Sequence, residues 1–271
     1  MWVCLGSFVA GLLGALTGLG GGVVIVPLLV FVFHVDIRYA IGASLISVIA
    51  TSSGAAAAYV REGFSNIRIG MLLEMATTTG ALLGAFLATH LTTGPIGTIF
   101  GVVLILSAIL SLRRRHDSVA SESADPLAAR LRLDSAYPTG SGPRSYHVQN
   151  VPVGLGLMFG AGTLSGLLGI GSGAFKVLAM DQAMRVPFKV STTTSNFMIG
   201  VTAAASAGLY LRRGFVVPGL CMPVVLGVLA GSLAGTRVLV RTKTRWLRVV
   251  FSLVIAVLGL EMIYGGITGK F

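Results

Sequence analysis

Apolar residues fall into eight long runs along the chain, at about 3–34, 39–60, 67–91, 95–112, 151–184, 190–211, 216–240 and 246–266. A helix needs about 20 apolar residues to cross a bilayer core. Most of these runs meet that length, and Val3 to Phe33 carries no charged residue. The polar positions concentrate between the fourth and fifth runs. There Arg113, Arg114, Arg115, Asp117, Glu122, Asp125, Arg130, Arg132 and Asp134 crowd with Ser, Pro and Gly. The pattern predicts an all-α, polytopic integral membrane protein in three parts: residues 1–112, a solvated linker over 113–150, and residues 151–271.

The two apolar parts match each other. A shift of 151 residues aligns Gly11 to Leu110 with Gly162 to Glu261 without a gap, with about 20 of 100 positions identical. The pairs include Gly18/Gly169, Gly20/Gly171, Gly22/Gly173, Ser44/Ser195, Tyr59/Tyr210 and Arg61/Arg212. Internal repetition of this kind is a signature of transporter folds. Gly80–Gly84 and Gly231–Gly235 form a GxxxG at the same place in each repeat, predicting close helix contacts.

The first run of each repeat is too long for one crossing: about 31 residues would make a helix of about 47 Å against a core of about 30 Å. Each is interrupted by glycine, at Gly18-Leu19-Gly20-Gly21-Gly22 and Gly169-Ile170-Gly171-Ser172-Gly173. Glycine opposes helix continuation by about 1 kcal/mol per residue. Two short helices that meet mid-membrane and return to the starting side leave three crossings per repeat. One long, kinked helix is the alternative. Charge separates the topologies. With the linker cytoplasmic, inverted repeats place about 15 Lys and Arg inside and 4 outside, whereas parallel repeats give about 11 and 8. The positive-inside rule therefore favours inverted repeats.

Composition adds little beyond this. The 54% hydrophobic and 11% charged residues fit a bilayer protein. The net charge of +11 sits at the ends of apolar runs, so it reads as orientation signal and not as a nucleic-acid surface. Cys4 and Cys221 lie inside apolar runs, and His34, His90, His116 and His147 are scattered, so no metal site is expected. Gly169 to Val177 lacks the Walker A pattern, and Gly18 to Val23 does not follow a strand, so no nucleotide cofactor is expected. No nucleophile–base pair suggests an enzyme.

Candidate chemistry gathers at the glycine breaks. Irregular backbone at membrane depth must be buried in protein or face water. Gly20, Gly21 and Gly22 of one repeat and Gly171, Ser172 and Gly173 of the other are candidates to line a small-anion site, against the alternative that they only permit close packing. Lys176 lies three residues past Gly173, where a lysine costs about 2.5–3.5 kcal/mol on insertion scales. It is a candidate anion ligand, the alternative being a side chain that snorkels to the interface. Glu74 is a weaker candidate, as a proton relay, as a partner for Lys176 or as an interfacial acid. Ser44 and Ser195, kept in both repeats, and Asn196 complete the set; hydroxyls and an amide can hold an oxyanion or bond across helices.

The sequence resembles the sulfite exporter TauE/SafE family of membrane permeases. The resemblance rests on Gly18 to Pro27, on Gly169 to Lys176, on Ser191 to Asn196 and on the duplicated architecture. It implies movement of small sulfur-containing anions, such as sulfite or organosulfonates, across the cytoplasmic membrane. The expected function is a secondary transporter, an exporter in direction, working by alternating access of two repeats. The alternatives are an anion channel or the membrane subunit of a larger transport system. The expected partners are the anion and the lipid bilayer.

Overall fold

The computed structural model describes residues 2–17, 22–61, 65–112, 125–139, 142–239 and 244–269. Helix dominates. The first half contributes α1 (Trp2–Thr17), α2 (Gly22–Phe31), α3 (Ile37–Arg61), α4 (Ile67–His90) and α5 (Thr93–Leu112). The linker forms α6 (Pro126–Arg130) and an antiparallel hairpin of β1 (Ser135–Thr139) and β2 (Gly142–Tyr146). The second half contributes α7 (Val151–Leu168), α8 (Gly173–Leu178), a π-helical turn (Ala179–Ala183), α9 (Phe188–Arg212), α10 (Pro218–Leu239) and α11 (Thr244–Thr268). By length and composition, α4 and α7 each suffice to cross a bilayer.

The glycine breaks end helices and reverse the chain. Gly169 caps α7 in the left-handed conformation at φ +68°, and its N–H donates to the Ser165 carbonyl (2.8 Å). Gly171 at φ +69° and Ser172 at φ +42° continue the turn. α8 then runs back beside α7. The Gln149 N–H donates to the Met184 carbonyl (3.1 Å), and Asn150 Nδ2 donates to Ala183 O (3.2 Å). In the first half Gly6 of α1 lies against Leu28 of α2 and Phe33 just beyond it, so α2 also folds back. Both first runs are helical hairpins, not long kinked helices. Gly18 to Gly21 fall outside the described residues.

Helices of the two halves then interleave: α1 packs on α10, α4 on α7, α3 on α9 and α5 on α11. The GxxxG expectation holds at these contacts. A methyl at Gly80 would meet the Phe159 carbonyl oxygen, and one at Gly84 that of Thr163. Gly162 and Gly166 of α7 lie equally close to the Thr77 and Ala81 carbonyls of α4. On the other side Gly227 and Gly231 of α10 abut the carbonyls of Cys4 and Phe8. Only glycine lets the backbones approach so closely. The surroundings of Gly235 fall outside the described residues. These contacts advance together along both chains, so α4 runs parallel to α7 and α10 to α1. Between α5 and α11 they run in opposite senses: Gly94 faces Gly266, and Gly101 faces Gly259.

The exterior is apolar, with Met71, Met75, Phe86, Leu233 and Ile267 exposed. Hydroxyls go inward: Ser44, Thr77, Ser195, Thr202 and Ser206 are buried. That distribution suits a lipid surround, where backbone groups are satisfied within helices.

The linker differs from expectation over 125–150. Ala128, Leu133, Tyr146 and Val148 are buried and pack with Ile69, Leu73, Met180, Met184 and Val186. Asn66 ties this unit down. Its side-chain oxygen caps α4 by accepting from the Ile69 N–H (3.1 Å), while Nδ2 donates to Leu133 O (2.9 Å) and to the Tyr146 hydroxyl (2.7 Å). Asp125 Oδ2 accepts the Val151 N–H at the start of α7 (3.1 Å). The high charge density pointed to a solvated segment, yet the four buried residues join a small core shared with the helix ends. Residues 113–124 fall outside the described set.

Candidate functional site

The two hairpin tips meet at the crossing of α3 and α9. Ser44, on α3, donates to the carbonyl of Gly169 in the opposite half (2.7 Å) and lies 3.5 Å from that of Gly22. Ser195, on α9, donates to the Gly173 carbonyl (3.3 Å). Gly22 and Gly173 hold matching places, as do Ser44 and Ser195, and the environments match too. A methyl at Gly22 would strike Ser44 and Val48, and one at Gly173 would strike Ile199 and approach Ser195. Gly171 is held in the same way between Ile199 and Val48. The tips are thus closely packed, and the groups that Ser44 and Ser195 engage are carbonyls. The Ser172 hydroxyl is turned back to Ala161 O (2.6 Å). Gly20 and Gly21 lie outside the described residues. Asn196 is half-buried on α9, one residue past Ser195.

Lys176 projects from α8 one turn beyond Gly173. It is 0% exposed, so it does not snorkel. Its Nζ donates to Thr202 Oγ1 on α9 (2.6 Å), and that hydroxyl donates to Glu74 Oε1 on α4 (2.6 Å). Thr78, one turn along α4, also donates to Glu74 Oε1 (3.0 Å). The second carboxylate oxygen, Oε2, is buried and has no hydrogen-bond partner among the described residues. Glu74 is 8% exposed, so its carboxylate is turned into the protein. The structure therefore joins Lys176 and Glu74 through one hydroxyl. An ammonium and a carboxylate held this way neutralise each other in a low-dielectric interior, where an unpaired charge is costly.

Thr202 is the residue that sequence reasoning passed over. Its signal was available, because Thr202 matches Thr51 under the 151-residue shift. The Thr51 hydroxyl bonds back to its own helix, at Ser47 O (3.0 Å) and Val48 O (3.2 Å). The counterpart of Lys176 is Ile25, also 0% exposed, and that of Glu74 is Val225. The charged network thus belongs to one half alone, built on a frame that both halves share. A separate cavity of about 500 Å³, lined by Phe31, Leu260, Glu261 and Tyr264, includes none of the network residues. Among the described residues no group of His, Cys, Asp and Glu could hold a metal ion.

Comparison with known proteins agrees with this architecture. The chain is 30% identical to the probable membrane transporter protein YunE of Bacillus subtilis, over 96% of each chain. It is 28% identical to the probable membrane transporter protein YdhB of the same organism, over 88% of this chain and 89% of that one. With the probable membrane transporter protein MJ0441 of Methanocaldococcus jannaschii it shares 24% identity, over 95% of this chain and 92% of the relative. No solved structure matches it significantly. Residues 3–262 match the sulfite exporter TauE/SafE profile, and the chain, an all-α membrane transporter, belongs to that family.

Proposed function

We propose that the protein is a secondary transporter of a small oxyanion, a sulfonate or sulfite, with export as its working direction. The observation that carries this reading is the fully buried ammonium of Lys176, one turn past a hairpin tip and between the two halves. A small anion is the ligand that such a cation would attract, and Ser44, Ser195 and Asn196 supply nearby polar groups. The tip residues Gly20, Gly21, Gly22, Gly171, Ser172 and Gly173 would line the approach once the two halves move apart.

Alternating access follows from the frame. The antiparallel course of α5 and α11, which are equivalent helices, supports two inverted repeats. The excess of Lys and Arg around the linker side supports a cytoplasmic location for residues 113–150 in a multi-pass protein of the cell membrane. The test is flux of sulfite and a sulfonate panel into proteoliposomes. Saturable uptake by the wild type and its loss in Lys176→Ala are expected. Unchanged flux in the variant would refute the site, and non-saturable conductance would mark a channel.

A further inference from the structure

We infer that Glu74, Thr202 and Lys176 form a proton-coupling unit, in which a monovalent oxyanion and one proton enter the site together. This rests on the anion reading above. The argument is one of charge balance in a buried place. Without substrate, the Glu74 carboxylate and the Lys176 ammonium sum to zero, bridged by the single proton of the Thr202 hydroxyl. A monovalent anion arriving at Lys176 leaves the site with one uncompensated negative charge, which the interior disfavours strongly. One proton added to the Glu74 carboxylate restores neutrality. The proton comes from water on the side to which the site is open, and it leaves with the anion on the other.

Two further features fit this exchange. Glu74 Oε2 is buried without a partner among the described residues, so an acceptor stands ready for the proton. Thr202 Oγ1 also lies 2.9 Å from the Met198 carbonyl, a second acceptor on its own helix. While Glu74 is ionised, the hydroxyl proton points to the carboxylate. Once Glu74 is protonated, the Thr202 hydroxyl can turn to Met198 O and still accept from Lys176, so Thr202 keeps both a donor and an acceptor partner.

The ionisable side chains of α3, α4 and α9 other than Glu74 fall toward the helix ends, Arg38 and Arg61 on α3 among them. Neither α7 nor α5 carries an ionisable side chain. On α9, Lys189 and Arg212 stand about 20 Å and 15 Å from Thr202 along the helix axis, with Tyr210 nearer the latter end. On α4, Arg68 is exposed and bonded to Arg132 O, while His90 is at the far end. Asp181 is buried in the π-turn five residues past Lys176 and has an interaction of its own. Asp134 and His147 of the linker pair with each other.

The probe is radiolabelled methanesulfonate, which stays a monoanion across the working pH range. Purified protein in liposomes, voltage-clamped with valinomycin and potassium, is given an alkaline interior by one pH unit. Coupling of one proton per anion predicts about tenfold accumulation, the free energy of one pH unit, and indifference to the clamped voltage. Glu74→Gln should abolish pH-driven accumulation, with size-exclusion elution confirming that the variant is folded. Wild-type uptake that follows voltage and ignores the pH gradient would overturn the inference while leaving the anion reading intact. Transport of sulfite without methanesulfonate would do the same. Absence of flux for every anion tried would overturn both.

Discussion

The hydroxyl of Ser44 and the carbonyl of Gly169 are joined at 2.7 Å across the two halves of the chain, 125 positions apart. The matching hydroxyl of Ser195 donates to Gly173 O at 3.3 Å, within its own half. Stranding a buried carbonyl costs about 1–3 kcal/mol. Ser44→Ala should therefore lower the unfolding midpoint in detergent more than Ser195→Ala does. Equal midpoints would mean that the cross-half bond holds nothing together.

Close helix approach gives a second contrast. A methyl at Gly84 would meet the Thr163 carbonyl, whereas Gly156, also helical, has open space around it. Overpacking typically costs about 1–3 kcal/mol. Gly84→Ala should destabilise by that order, and Gly156→Ala should be neutral or slightly stabilising. Chemical unfolding of the two variants side by side decides the matter.

Thr202 and Thr51 occupy matching positions with different partners. Thr202→Val removes the bridge between Lys176 and Glu74, and the loss should reach about 1–3 kcal/mol. Thr51→Val removes a bond to its own helix and should stay within about 0.5 kcal/mol. A double-mutant cycle extends the comparison. Lys176→Met or Glu74→Gln alone leaves a buried charge, costing about 3–5 kcal/mol, so the pair together should cost less than the sum. Strict additivity would show that the two charges do not compensate each other.

Linker docking should depend on pH. Burial of the Tyr146 phenol raises its pKa above the ordinary 10.0, with the hydrogen bond from Asn66 acting against that rise. The docked state thus prefers the neutral phenol. Its contribution is complete below pH 10 and falls as pH rises through the folded value. A fluorophore at exposed Ser145, followed from pH 8 to pH 12, should report release at the alkaline end. Tyr146→Phe should flatten that response.

The frame of this protein is legible in its sequence because lipid leaves few alternatives. Charge-free runs must be helices, glycine clusters must end them, and the 151-residue shift aligns the two halves without a gap. Lys176 stands out as a basic residue far from the ends of its apolar run. Its partnership with Glu74 is less accessible. The two residues lie on α8 and α4, about 100 positions apart, and meet only because α9 passes between them and offers Thr202. A threonine in a serine- and threonine-rich helix carries no local mark of that role. The linker was hidden for the opposite reason. Its charges dominate the composition, while Leu133, Tyr146 and Val148, which dock it, are too few to form a periodic pattern.

Asn66 gives that docking a mechanical meaning. Its backbone N–H donates to Thr194 Oγ1 on α9 (3.0 Å), while its side chain holds both the start of α4 and the linker hairpin. One residue thus serves as a three-way joint. Any sliding of α4 against α9 would oblige the hairpin to ride along or let go. The transport cycle would then be audible outside the bilayer, as a displacement of a handle that a protein on that side of the membrane could read or restrain.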